Sequence, residues 1–139
     1  MKQKVIICGA GRVGTSITEH LSNEGFDITV IDSNSEAIQR ITELYDVQGV
    51  LGLASYPNVL EDSGIIDKDL IIAVTQSDEI NIAACHVAKS IFGTPTMIIR
   101  IRSKEYLDPK YSNYLLKDVG VNRIISVSYT HLTLPTMVQ

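Results

Sequence analysis

Short apolar runs alternate with amphipathic stretches along most of this chain. Residues 5–8, 28–31, 47–51, 70–74 and 97–101 are runs of strand length. The run at 70–74 is apolar almost throughout, as a parallel strand covered on both faces requires. Between the runs, apolar residues recur at helical spacing. Val13, Ile17 and Leu21 make one stripe. Ala37, Ile38, Ile41 and Leu44 make a second, and Ile80, Ala83, Ala84, Val87, Ala88 and Ile91 a third. The punctuation agrees. Gly25 closes the first helix, Ser35 caps the second, and Pro57 opens a short helix that stops at Gly64. Ser77 or Asp78 caps the long helix that Gly93 and Pro95 end. A weaker helical stretch through Tyr106, Tyr111, Tyr114 and Leu115 is broken by Pro109, and Ile124-Ile125 makes a sixth, short strand.

Six strands separated by helices predict an α/β fold: a Rossmann-like, doubly wound, six-stranded parallel sheet with helices on both faces. The expected strand order is 3-2-1-4-5-6, with a ligand crevice at the carboxyl ends of strands 1 and 4.

That crevice is where the chemistry falls. The first strand runs directly into Gly9-Ala10-Gly11-Arg12-Val13-Gly14, and Asp32 ends the second, 18 residues beyond Gly14. This is the dinucleotide fingerprint in its strand-turn-helix setting. Gly9 permits the tight turn, Gly11 lets a pyrophosphate approach the backbone, and Gly14 lets the helix pack on the sheet. The helix N-terminus turns N–H groups and a positive dipole end towards phosphate. Asp32 is placed to accept hydrogen bonds from an adenosine ribose and to repel a 2′-phosphate, which favours NAD(H) over NADP(H). The plainer alternative makes the loop a tight turn and Asp32 a helix cap or solvated acid.

Composition narrows the partners. Net charge is −4 and no basic stripe appears, which argues against nucleic acid. The apolar runs are too short to insert in a membrane as a span. Cys8 and Cys85 lie singly inside apolar segments and read as buried, reduced thiols of a cytoplasmic protein. His20, His86 and His131 show no ligand spacing, so no metal is expected.

Two further segments add specificity: Ala73-Val74-Thr75-Gln76-Ser77-Asp78-Glu79-Ile80-Asn81 and Ile99-Arg100-Ile101-Arg102-Ser103-Lys104-Glu105-Tyr106. Together with the glycine loop, Asp32 and the stretch from Gly52 to Leu60, they resemble the RCK, or KTN, domain family that regulates potassium channels and transporters. Within it they are most similar to the TrkA-N type, the N-terminal nucleotide-binding domain of the peripheral subunit of bacterial Trk uptake systems. The resemblance covers about residues 2–126. It implies a domain that binds NAD(H), or ATP/ADP, without turning it over. It also implies a homo-oligomer, a dimer or ring of such domains, that gates a membrane potassium transporter from the cytoplasmic face of the cell membrane. No catalytic residues are expected. On this resemblance Gly9, Ala10, Gly11, Arg12, Val13 and Gly14 form the phosphate loop, and Asp32 holds the ribose. Gly52 and Leu53 border the adenine, Thr75 lies by the second half of the ligand, and Arg100 reaches a phosphate or a neighbouring subunit. Leu53 stands where many members carry an acid, which loosens adenine specificity. Blander readings stand beside these: Thr75 ends a strand, Asp78 caps a helix, and Arg102 lies on the solvated face of an edge strand.

After Ser126 the family pattern of a Pro-Glu turn and a crossing helix is missing. Residues 127–139 are rich in Thr and Ser, carry no acid, Lys or Arg, and show no helical period. They are expected to form an irregular, non-native tail on a 1–126 nucleotide-binding domain, leaving the chain a fragment. A native coding sequence running unbroken through 127–139 dismisses that expectation. The competing function is the cofactor half of an NAD-dependent dehydrogenase. It needs a substrate domain, for which 139 residues leave no room, and a proton donor or acceptor near the nicotinamide.

Overall fold

In a computed structural model, residues 2–126 and 136–138 are described. The strands are β1 (Lys4–Cys8), β2 (Asp27–Asp32), β3 (Gln48–Leu51), β4 (Leu70–Ala73), β5 (Thr96–Ile101), β6 (Arg123–Ser126) and β7 (Thr136–Val138). The helices are α1 (Arg12–Asn23), α2 (Ser35–Leu44), α3 (Pro57–Asp62), α4 (Asp78–Phe92), α5 (Lys104–Leu107) and α6 (Pro109–Asn113). One sheet runs β3-β2-β1-β4-β5-β6-β7. Its first six strands are parallel in the expected order, and β7 pairs antiparallel to β6.

Side-chain alternation on the central strands builds two cores. Val5 and Ile7 of β1 join Val30 and Ile72 beneath α1 and α2, with Val13, Ala37 and Ile41. Ile6 and Cys8 face the other way, towards Ile71, Ile99, Leu60 and the Ala84, Cys85 and Ala88 stripe of α4. Both faces are therefore covered, and β1 is fully buried from Val5 to Cys8. A large-to-small change such as Ile6→Ala costs about 2–5 kcal/mol in such a core.

Three expectations are corrected. Asn34, not Ser35, caps α2: its side-chain oxygen accepts from the Ala37 N–H at 3.0 Å, and Ser35 is the first helical residue. Arg102 does not lie on an edge strand. β5 sits between β4 and β6, and Arg102 falls just beyond its end. As expected, the helical stretch after β5 breaks at Pro109, which starts α6, and it then widens into a π-helical turn, Tyr114–Val119. Thr136–Val138 of the expected irregular tail pairs as a strand, whereas 127–135 and 139 lie outside the described residues.

Candidate functional site

The carboxyl ends of β1, β2, β4 and β5 open onto one cleft of about 880 Å³. Its walls hold Gly9, Ala10, Gly11, Arg12, Val13, Asp32, Gly52, Leu53, Thr75 and Arg100, all named from sequence. Gly14 alone among the sequence candidates is not in the wall. A Cβ there would lie 1.8 Å from the Gly9 carbonyl oxygen, so its role is close packing of α1 under the loop.

One half of the cleft is built from backbone. Gly9 turns the chain at φ +116°, and its N–H donates to the Ile31 carbonyl at 2.7 Å. Gly11 then enters α1 without a side-chain cap. This distinguishes α1 from α2 and α4, which Asn34 and Ser77 cap. The first-turn N–H groups of α1 are left for solvent or a ligand, and a Cβ on Gly11 would meet nothing within 4 Å. Asp32 ties two turns together. One carboxylate oxygen accepts from Ala10 N–H at 2.7 Å and the other from Asn34 N–H at 2.8 Å. Each oxygen keeps a lone pair for a further donor, such as a ribose hydroxyl.

The other half is built from side chains. Asn81, on the first turns of α4, is fully buried. Its amide oxygen accepts from Thr75 N–H at 2.9 Å and from the Thr75 hydroxyl at 2.7 Å. Its amide nitrogen donates to the carbonyls of Thr75 at 3.2 Å and Arg100 at 3.0 Å. The Arg100 guanidinium donates in turn to the Thr75 carbonyl at 3.3 Å. Asp78 is also buried. It accepts from the backbone N–H of Arg102 and of Ser103, each at 2.8 Å, and so fastens the chain leaving β5 to α4. Ser77 is the cap, bonded to Ile80 N–H at 3.1 Å, so Asp78 has a different task from the one its position suggested.

Charge in the cleft is one-sided. Arg12, Arg40, Arg100 and Arg102 line it against a single carboxylate, Asp32, among the described residues. An acidic chain with a cationic cleft fits a phosphorylated ligand. The residue pattern did not single out Arg40 or Asn81 as site residues. Arg40 looks like any exposed helix position. Asn81 carried a usable signal, an amide on the helix stripe that otherwise buries Ala84, Cys85 and Ala88.

The two thiols lie buried in the core beneath α4. Burial pushes the Cys85 thiol up to about 12, and it pushes Cys8 higher, with the nearby Cys85 adding to the shift. Both are inert neutral groups at physiological pH. Partial desolvation raises the Tyr106 phenol, helped by its 3.2 Å hydrogen bond to Glu79 of α4.

Residues 5–127 match the TrkA-N domain. Over 115 residues the chain is 45% identical to the Trk system potassium uptake protein TrkA of Azorhizobium caulinodans, a match covering 83% of this chain and 25% of that protein. The chain thus spans about a quarter of the length of that relative. Among solved structures it resembles the Kef CTD of Shewanella denitrificans in AMP-bound form. The TM-score is 0.75 at 19% identity, covering 91% of this chain and 73% of that one. It also resembles the GsuK channel bound to NAD, with a TM-score of 0.72 at 18% identity, covering 89% and 21%. At these identities the structures attest the shared fold. No helix among the described residues is long and apolar enough to cross a membrane.

Proposed function

The chain belongs to the TrkA-N domain family, and from that premise we propose that its cleft binds an adenine nucleotide as a regulatory signal for potassium uptake. The observation that carries this is the uncapped N-terminus of α1. It stands behind an open Gly11, with Asp32 on one side and arginines around the rim. Gly9, Ala10, Gly11, Arg12 and Val13 hold phosphate, Asp32 the ribose, and Gly52 and Leu53 the base. Thr75 and Arg100 take the remainder of the ligand. The ligand is NAD(H) or ATP/ADP.

The competing reading is the cofactor half of a dehydrogenase, for which Thr75 and Ser77 in the cleft wall would be the candidate groups beside a nicotinamide. In the regulatory proposal the domain works as a homo-oligomer docked on a membrane potassium transporter subunit at the cytoplasmic face. A nucleotide then regulates only by as much as it binds one state of that assembly better than another.

Calorimetric titration with NAD⁺, NADH, ATP and ADP tests the reading, repeated on Asp32→Ala. Wild type is expected to bind at least one of the four, and the variant to lose about tenfold to a hundredfold in affinity for each, the worth of hydrogen bonds to a charged group. Equal binding by the two proteins refutes the assigned pocket. Consumption of NADH with a small carbonyl substrate restores the enzyme reading.

A further inference from the structure

We infer that Asn81 is the positioning residue for the distal half of the ligand. It sets the Thr75 turn and the Arg100 guanidinium without touching the adenosine half. The inference rests on the nucleotide reading above and deepens it.

The geometry is closed on itself. A primary amide offers two donor hydrogens and an acceptor oxygen with two lone pairs. Asn81 uses all four: Thr75 N–H and hydroxyl on the oxygen, the Thr75 and Arg100 carbonyls on the nitrogen. It therefore fixes the end of β4 to the end of β5 at the point where both strands release the chain into the cleft. Arg100 is held at both ends by this arrangement. Its backbone carbonyl takes an Asn81 proton, and its guanidinium leans on the Thr75 carbonyl that takes the other. The alternative partners that solvent would offer are absent, because Asn81 is buried completely. In a low-dielectric setting such a fully satisfied network holds one arrangement and resists others.

None of these bonds reaches the glycine loop or Asp32. The adenosine half has its own hydrogen bonds, through Ala10, Asn34 and the Gly9 turn, and meets the Thr75 turn by packing at Gly9. Loss of Asn81 should thus be felt by what lies beyond the first phosphate. AMP engages only the first half; ATP engages both.

The test is calorimetry with AMP and with ATP on wild type, Asn81→Ala, Arg100→Gln and the double variant. Asn81→Ala is expected to weaken ATP about tenfold while AMP stays within about twofold. Arg100→Gln is expected to do the same, and the double variant to lose little more than either alone, because both changes remove one unit. Should Asn81→Ala not fold, Asn81→Ser is read in its place; it stays small and uncharged but is too short to bridge Thr75 and the Arg100 carbonyl. Equal weakening of AMP and ATP overturns the inference, since Asn81 then only supports the fold. Fully additive losses overturn it too, since Arg100 then acts without Asn81. A wild type that binds neither probe fails differently: it removes the nucleotide reading itself, and this inference with it.

Discussion

The two halves of the cleft use opposite materials. Around β1 and β2 the work is done by backbone and by the lack of side chains: a positive-φ glycine, an open glycine and an uncapped helix. Around β4 and β5 it is done by two buried polar side chains, Asn81 and Asp78, bonded chiefly to neighbouring backbone. The first design holds an anion with groups that have no rotamers to lose. The second freezes a set of side chains by hydrogen bonding, and so depends on each member being present. The packed glycines, Gly9 and Gly14, tolerate no added atoms; a polar network tolerates no missing ones.

The sharpest way to break this comparison lies within the glycine loop itself. Gly14→Ala places a Cβ 1.8 Å from a backbone oxygen that cannot swing away. It is expected to cost about 3 kcal/mol or more in stability, the upper range of overpacking, measured by urea denaturation. Gly11→Ala has open space around its Cβ and a φ of −80°. Its stability should stay within about 1 kcal/mol of wild type, the worth of an Ala at a helix cap. Nucleotide affinity should nonetheless fall about tenfold, because the methyl stands where phosphate approaches. A Gly14→Ala protein as stable as wild type, or a Gly11→Ala protein that binds normally, would show that the loop's glycines are not divided between packing and ligand.

Alkaline pH reaches both halves at once, next in size. Cys8 ends β1, Cys85 sits on α4, and both are buried in the same core. Their folded pKa values are raised, Cys85 to about 12. The neutral thiol is thus favoured by folding. Its contribution is whole below the unfolded pKa of about 8.5 and is lost as pH rises through the folded value. Each thiol removes about 1.4 kcal/mol per pH unit inside that window. Stability is expected to be level in this respect from pH 7 to 8 and to fall above 9. The Cys8→Ala/Cys85→Ala variant should fall less steeply, and equal slopes would place these thiols elsewhere than the core.

The halves also differed in how far the residue pattern alone reveals them. Glycine spacing, apolar runs and the acid at the end of β2 are local signals, and they located the strand order and the first half of the cleft. The cap of α2 missed by one residue, because Ser35 and Asn34 both suit the position and the angle at which the chain leaves β2 decides between them. The alternation of Arg100 and Arg102 with isoleucines suggested an edge strand. β6 removes that edge, and the cleft supplies the polar surroundings instead. Asp78, and Asn81 in its bond to the Arg100 carbonyl, find partners 19 to 25 residues away, a distance at which spacing carries no information. β7 has no local signal either. Its pairing with β6 is purely tertiary.

Arg40 offers the smallest and most discriminating measurement. It is an exposed residue of α2 at the cleft, beside the backbone half, whereas Arg100 is half-buried and fixed by the Asn81 network. Exposed charges act through a high dielectric and are screened by salt within about 10 Å at 0.1 M. Arg40→Ala should therefore weaken ATP by about threefold at low salt, at the upper end for surface pairs, and the loss should vanish as salt is raised. The loss in Arg100→Gln should persist in the same series, because partly buried groups are screened far less. ATP titrations from low to high ionic strength on both variants decide the matter. If both losses fade together, the second half of the cleft holds its ligand by surface charge too, and the contrast between the halves is one of position and not of kind.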